Sequence, residues 1–320
     1  MAGRRRTVGA RAWIRGHVAS AGPIEVAHDR SWATVWRVPI AGGTAWFKAC
    51  ATIVAFEPAL TVALSARWPD RTAEVVAADL QRGWLLLADA GTRVDRLGNP
   101  PELWLRALPR YAELQRGESR HASEHLAAGV PDLRLATLPE RYEDLIRADL
   151  PIGADETASV RAFASRFVAL CEELAAVGIP DSLQHDDLHL TNLYLRGDET
   201  RVLDWGDASI GHPFASLVET FRFLEEFNGL RPDDPWFGRL RDAYLEPWGS
   251  GLRDAFELGL VVGGFAHAIP WLRQRAALPR ADRPEFDSVF AVLLRRALRA
   301  SDTIDRSARR VIPPGPSARP

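Results

Sequence analysis

Lysine is nearly absent from this chain: of 40 basic residues one is a lysine, Lys48, and the other 39 are arginines. A chain that uses arginine for generic positive charge has a reason to keep a lysine where a compact ammonium on a flexible stem must enter a tight site that a broad guanidinium fits poorly. The plain alternative is a chance remnant of arginine-biased usage. Cysteine is scarce too. Cys50 and Cys171 are far apart and make no metal-binding spacing, which fits two buried thiols in a reducing cytoplasm. There is no basic excess: the formal net charge of −2 argues against a nucleic-acid-binding protein. No uninterrupted run of 18 apolar residues occurs, so no membrane span is expected. No apolar stretch follows the basic cluster Arg4-Arg5-Arg6, so the N-terminus is not read as a secretory signal and the cluster is read as a solvated tail. Internal repeats are also lacking. At 320 residues, with 47% hydrophobic and 26% charged residues, the chain has the composition of a soluble globular protein with one large core or two modest ones.

The first ninety residues read as a strand-rich lobe. Strands are expected at Pro23 to His28 and Ala33 to Ile40, with a hairpin turn at Ala41-Gly42-Gly43 leading into the strand that carries Lys48. Helical spacing of Phe56, Leu60, Ala63 and Leu64 predicts a helix over 53–68, followed by strands at 73–79 and 84–88. Past the turn Asp89-Ala90-Gly91, helices are expected over 101–116, 138–148, 158–177, 214–228, 236–246, 252–275 and 284–302. Three regions follow: a lobe over 1–90, a helical lobe over 91–303, and a Pro-, Arg- and Ser-rich tail over 304–320 expected to be disordered.

The chemistry concentrates between His185 and Asp207. His185-Asp186-Asp187-Leu188-His189-Leu190-Thr191-Asn192 contains an H-x-D-x-x-x-x-N element, and 12 residues beyond Asn192 a short apolar run ends in Asp204-Trp205-Gly206-Asp207. Phosphoryl transfer needs these groups. One carboxylate orients and deprotonates the attacking hydroxyl, while an Asn and a second Asp hold the metal ions that neutralise the phosphates. The segment is expected to be a loop with short strands between helices, where catalytic groups tend to lie.

With these residues the chain resembles the aminoglycoside phosphotransferase and choline kinase-like family of small-molecule kinases, over about residues 20–300. Members typically read H-G-D-L-H-x-x-N followed by a strand ending in D-W or D-F. The resemblance implies an α+β, bilobal protein kinase-like fold with a small antiparallel-sheet N-lobe and a large, mainly helical C-lobe. It also implies ATP and Mg2+ as cofactors and a small-molecule hydroxyl as acceptor. By the same likeness Asp187 is the catalytic base, and His185 braces its loop. Asn192 and Asp204 are magnesium ligands. Lys48 contacts the α- and β-phosphates. The adenine lies against backbone groups near Leu87, Ala88 and Asp89. Only about ten residues separate Asp204 from the helix expected near Phe214, too few for a long regulatory loop, which favours a small-molecule acceptor over a protein.

Some positions depart from the family pattern. The turn between the first two strands, His28-Asp29-Arg30-Ser31-Trp32, has no glycine, which leaves backbone amides or Ser31 to contact the phosphates. Glu57 is the candidate partner of Lys48, yet the following Pro58 biases it towards a helix start, so it is also readable as a plain first-turn residue. Asp186 stands where a small or polar residue is usual. Asp207 is a third metal ligand or a cap. His121 and His125 are read as solvated surface residues, and His212 as shaping a turn. Cys171 is read as core, and Trp205 as a border of the substrate pocket. Glu219, Glu225 and Glu226 are read as solvated, or as lining an acidic pocket for a cationic substrate. Two other functions stay open: a kinase-like nucleotide-binding module without turnover, and a metal-dependent phosphohydrolase built on His185 and Asp186 with His121 or His125.

Overall fold

A computed structural model describes residues 6–278 and 280–311. The chain divides into two compact units, Met1–Arg134 with Pro180–Arg253, and Leu135–Ile179 with Asp254–Pro320.

The first unit opens with helix α1 (Ala10–His17) and an antiparallel five-stranded sheet. Its strands are β1 (Glu25–Asp29), β2 (Ala33–Ile40), β3 (Gly43–Cys50), β4 (Val75–Asp79) and β5 (Trp84–Ala88), in the order β1-β2-β3-β5-β4. Side chains alternate across a pleated sheet. One face presents Trp36, Val38, Ala45, Phe47, Ala49, Trp84 and Leu86, which pack with Ala10 and Ile14 of α1. The other face carries Val35, Lys48 and Leu87, which line a cavity. The register Val35↔Lys48↔Leu85 fixes the lysine in the middle of the sheet. The strands follow the sequence expectation. Helix α1 does not, because only Ala10 and Ile14 are buried on it, too few to announce a helical period.

Arg6, read with Arg4 and Arg5 as a solvated tail, is instead tied to the sheet. Its side chain is 16% exposed and it donates to the carbonyls of Ser31 (2.9 Å) and Arg30 (2.6 Å). Arg4 and Arg5 lie outside the described residues.

Helix α2 (Glu57–Arg67) starts later than the expected residue 53, after a 3-10 turn over Thr52–Val54, with Pro58 in its first turn where the missing amide costs nothing. After β5 come β6 (Thr92–Arg93), α3 (Pro101–Glu118), α4 (Ala122–Ala127) and β7 (Asp132–Leu133). The unit resumes with β8 (Ser182–Gln184), β9 (Leu193–Arg196), β10 (Glu199–Val202) and β11 (Ser209–Gly211), then α8 (Leu217–Asn228) and α9 (Pro235–Leu245). Two three-stranded sheets, β10-β9-β6 and β7-β11-β8, hold the segments around His185 and Asp204.

The reading of His125 as a solvated surface residue is corrected. It is 2% exposed, and its Nε2 lies 2.6 Å from Glu118, which also takes hydrogen bonds from Arg67 and Trp68. Burial raises the Glu118 carboxyl, but the hydrogen bonds from His125, Arg67 and Trp68 outweigh it and bring the pKa down to about 2. The sequence does not reveal this because Arg67 and Trp68 come from another helix end, about fifty residues away.

The second unit is helical: α5 (Leu138–Arg147), α6 (Ala154–Ala162), α7 (Ala164–Ala175), α10 (Arg253–Ala277) and α11 (Arg283–Val311). Tyr142 stacks on Phe167 at 4.3 Å, and Phe265 meets both rings edge-on. The single helix expected over 158–177 is two, broken at Phe163, whose ring turns inward to stack on Phe265 at 5.2 Å. Cys171 is buried, as expected.

Although no uninterrupted apolar run reaches 18 residues, α10 is long and apolar enough to cross a membrane by length and composition. Within the unit 56% of its most apolar stretch is buried, including Val262, Gly263, Phe265 and Ala268, as in a core helix. Of the tail expected over 304–320, the backbone continues in α11 to Val311, and residues 312–320 lie outside the described residues.

Candidate functional site

Three distant segments meet at Lys48. Its Nζ lies 2.5 Å from Glu57 Oε1 and 2.5 Å from Asp204 Oδ1. β3 aims the lysine away from α1, α2 begins with the glutamate, and the turn after β10 presents the aspartate. Glu57 is therefore the lysine's partner as well as a first-turn residue. It is 2% exposed and also accepts from the Cys50 thiol at 3.3 Å. Gly206 makes room for it, since a Cβ there would lie 3.0 Å from Glu57 Oε2.

Charge holds the trio together. Burial alone would lower the Lys48 pKa, but Asp204 and Glu57 raise it well above the ordinary lysine value. Burial pushes the Asp204 carboxyl up, and the neighbouring ammonium more than offsets this, leaving it below the usual carboxylate range. In Glu57 burial wins over Lys48 and the carboxyl is raised.

The loop from His185 to Asn192 is fixed from several sides. His185 is fully buried, with its Nε2 2.9 Å from the Leu203 carbonyl and its Nδ1 taking the Asp187 amide at 3.3 Å. That pattern requires the neutral ring protonated at Nε2. Burial, outweighing the nearby Asp187, lowers its pKa accordingly. The ring also packs on Trp205 at 4.7 Å, and the Tyr111 hydroxyl accepts the His185 amide at 3.0 Å. Thr220 of α8 donates to the Leu188 carbonyl at 2.6 Å.

Asp187 stands on this loop with a partly exposed carboxylate. Asn192 Nδ2 donates to its Oδ2 and to its carbonyl, both at 2.9 Å, and His189 Nε2 lies 3.1 Å from its Oδ1. His189 in turn stacks on Phe223 of α8 at 4.0 Å, and Phe223 on the exposed Phe227 at 5.3 Å. The carboxylate is thus held in one orientation without being covered.

Asp186 explains its own departure from the family pattern. Its φ is +58°, the left-handed region where glycine is free and Asp or Asn is the tolerated substitute. Its carboxylate accepts from the Ser209 hydroxyl, tying the loop to β11. Asp186→Ala should cost about 1–2 kcal/mol, from the strained backbone and the lost hydrogen bond. Asp186→Asn should stay within about 0.5 kcal/mol, since Asn tolerates the same φ and its amide oxygen keeps the Ser209 contact. Urea unfolding of the two variants separates them.

A cavity of about 260 Å3 joins Lys48, Glu57, Asn192 and Asp204, whereas Asp187 and His185 stand outside its lining. Val35, Trp46, Ala73, Leu87, Ala88 and Leu203 make its apolar walls, and Lys48, Glu57, Thr191, Asn192 and Asp204 its polar end. Of the residues expected around a nucleotide, Lys48, Glu57, Leu87 and Ala88 line it. Ser31 does not, and its carbonyl is taken by Arg6. Asp89 does not either, and its carboxylate caps the Gly91 amide at 2.8 Å. Asp207, exposed in the 3-10 turn after Asp204, lies outside the lining, whereas Trp205 borders it.

His28, Arg93 and Tyr194 also line the cavity and were missed. Arg93 makes a bidentate pair with Asp95 (2.8 and 2.6 Å), a contact of near neighbours with no sequence signature. On α8, Glu219 is 2% exposed and bonded to Arg222 at 2.9 Å, so its reading as a solvated glutamate is corrected. His212 shapes its turn as expected, accepting the Phe214 amide at 3.3 Å. Burial brings its pKa down to about 3. A histidine depressed in the folded state stabilises above its unfolded pKa of about 6.5 and loses that contribution as pH falls towards 3. Stability should therefore fall between about pH 6.5 and 3, and His212→Phe should flatten that fall by up to about 1.4 kcal/mol per pH unit. Melting curves at several pH values test it.

The donor set fits a magnesium nucleotide. Asn192 and Asp204 both line the cavity: the Asn192 Nδ2 is engaged by Asp187, which leaves its amide oxygen as the group able to ligate a cation, and the Asp204 side chain is 52% exposed. Two hard oxygen donors suit a cation that takes its remaining ligands from phosphates and water. Among the described residues no group of three or more His, Cys, Asp and Glu forms a protein-only metal cage. The histidines of the phosphohydrolase alternative do not converge: His185 is held by Leu203 and His125 by Glu118.

The model of a phosphotransferase enzyme family matches residues 59–258. Choline kinase from Cryptosporidium parvum Iowa II superposes with a TM-score of 0.64 at 13% identity, over 94% of this chain and 97% of that one. A choline/ethanolamine kinase family protein from Mesorhizobium loti gives a TM-score of 0.61 at 17% identity, covering 93% and 97%. The GDP complex of wild-type aminoglycoside 2'-phosphotransferase-IIIa gives 0.62 at 14%, covering 94% and 100%. At these identities the likeness establishes the fold, a protein kinase-like one with an antiparallel N-terminal sheet and a mainly helical C-terminal part. No curated protein sequence matches the chain.

Proposed function

Because the chain belongs to the phosphotransferase enzyme family, we propose that it transfers the γ-phosphate of ATP, with Mg2+, to a hydroxyl of a small molecule such as an aminoglycoside-like antibiotic, an amino alcohol or a sugar. The observation that carries this reading is the convergence on one cavity of Lys48, paired to Glu57 and Asp204, with Asn192, which orients Asp187.

In this reading residues 1–90 hold the nucleotide, and residues 91–303 carry the catalytic loop and the acceptor-binding surface. Val35, Ala73 and Leu203 would supply apolar walls for an adenine, and backbone groups near Leu87 and Ala88 its polar partners. Lys48, held by Glu57, meets the α- and β-phosphates as its ammonium exchanges Asp204 for phosphate oxygen. When bound, Mg2+ neutralises phosphate charge, with Asn192 and Asp204 as its protein ligands. Asp187 accepts the proton of the acceptor hydroxyl. Asn192 and His189 fix the direction of its carboxylate, and buried His185 holds the loop by its bond to Leu203. The transition state of phosphoryl transfer is loose, so positioning and charge neutralisation carry most of the rate.

The test is ATP consumption with Mg2+ across a panel of aminoglycosides, macrolides, amino alcohols and sugars, beside Asp187→Ala. Turnover stimulated by one acceptor class and abolished in the variant is expected. Nucleotide binding with no stimulated turnover in any class would favour a nucleotide-binding module instead.

A further inference from the structure

The turn between β1 and β2 stands at the edge of the cavity: His28 before it and Val35 beyond it line that space, and Ser31 and Trp32 at its tip lie just outside the lining. It contains no glycine and no residue at positive φ. Its shape is set from the opposite side of the sheet. The Arg6 guanidinium donates to the carbonyls of Arg30 (2.6 Å) and Ser31 (2.9 Å), and approaches Thr34 Oγ1 at 3.3 Å and Asp29 Oδ1 at 3.5 Å. Thr34 itself donates to Asp29 at 2.6 Å, closing the web. Arg6 is anchored in turn, because its carbonyl accepts the Trp84 indole N–H at 2.8 Å.

The direction of these bonds matters. Trp84 belongs to the sheet face covered by α1, and Thr34 shares the strand parity of Trp36 and Val38 on that face. Arg6 therefore draws two successive carbonyls towards the α1 face. A trans peptide is planar, with its C=O and N–H pointing opposite ways. The peptide N–H groups that follow those carbonyls, of Ser31 and Trp32, consequently turn towards the cavity face. Among the described residues neither amide has a backbone acceptor. Successive free amides on one side of a turn form a concave donor site for an anion.

We propose that Arg6 is a positioning residue for nucleotide binding: by holding the Arg30 and Ser31 carbonyls on the α1 face, it directs the Ser31 and Trp32 amides at the phosphates of the nucleotide. An arginine from before the sheet thereby does what glycines would otherwise do within the turn. This rests on the nucleotide-binding reading of the cavity.

The test is titration of the full-length protein with Mg·ATP and with adenosine, which lacks phosphates, for wild type, Arg6→Ala and Thr34→Val, together with melting temperatures. Thr34→Val loosens the same web from β2 without touching Arg6, and serves if Arg6→Ala folds poorly. Arg106→Ala, which removes an exposed contact with Asp198, is the control. Expected is a loss of about tenfold in Mg·ATP affinity in Arg6→Ala, a smaller loss in Thr34→Val, unchanged adenosine affinity in both, and wild-type behaviour of the control. Unchanged Mg·ATP affinity in either folded variant overturns the inference. So does an equal loss for ATP and adenosine, which would make Arg6 only a prop of the sheet. Failure of wild type to bind Mg·ATP would sink the nucleotide reading itself, a separate result.

Discussion

Asp187→Asn is expected to lower kcat by about 10³-fold while the KM for nucleotide changes less than about twofold. General-base catalysis contributes about 10²–10⁴-fold, and the middle of that range fits a carboxylate already oriented by Asn192 and His189. Its side chain is 32% exposed, so the isosteric amide leaves no buried charge unpaired. The bond from the Asn192 side-chain amide to the Asp187 carbonyl survives the change, so the loop should keep its shape. Melting temperatures of variant and wild type should agree within a few degrees. Steady-state kinetics with both substrates varied would separate this outcome from a general weakening, in which the KM for nucleotide rises in step with the loss of kcat.

The second large effect is at the one lysine. Lys48→Arg keeps the charge, yet should reduce kcat/KM for ATP by about 10²-fold, comparable to removing a preorganised charge donor from an active site. Lys48 is 8% exposed and reaches two carboxylates, each at 2.5 Å, from opposite segments of the chain. A planar guanidinium is broader and cannot occupy that point without displacing Glu57 or Asp204, each of which already lies 2.5 Å from Nζ. Lys48→Met should behave differently. It leaves Glu57 buried without its cation and should cost about 3 kcal/mol of stability on unfolding, offset in part as the carboxyl takes up a proton. An arginine variant with wild-type kcat/KM would return the lone lysine to a remnant of arginine-biased usage.

The parts of the fold that repeat a period were readable. Alternation in β2 and β3 placed Lys48 in the sheet, and the H-x-D-x-x-x-x-N spacing placed Asp187 and Asn192 on one loop. What escaped was set by contacts between distant segments. α1 buries only Ala10 and Ile14, and the bond from Trp84 to the carbonyl of Arg6, which precedes it, spans 78 residues. His125 reads as polar surface until Glu118, Arg67 and Trp68 surround it, and Glu219 reads as solvated until Arg222 folds over it. Pro58 made Glu57 ambiguous because proline chemistry specifies a helix start and says nothing of what the first turn faces. Asp186 was visible as an oddity, but its reason, a φ of +58°, belongs to the backbone. Arg93 and His28 enter the cavity because β6 and the start of the β1–β2 turn border it, which no local motif records.

The most direct test of the site's chemistry is 31P NMR of the wild-type protein with Mg·ATP and the acceptor that stimulates turnover. A new phosphomonoester resonance is expected that grows in step with ADP and is lost in Asp187→Asn. Inorganic phosphate appearing in its place, at the same rate with and without acceptor, would contradict transfer to a hydroxyl and make the site a hydrolase.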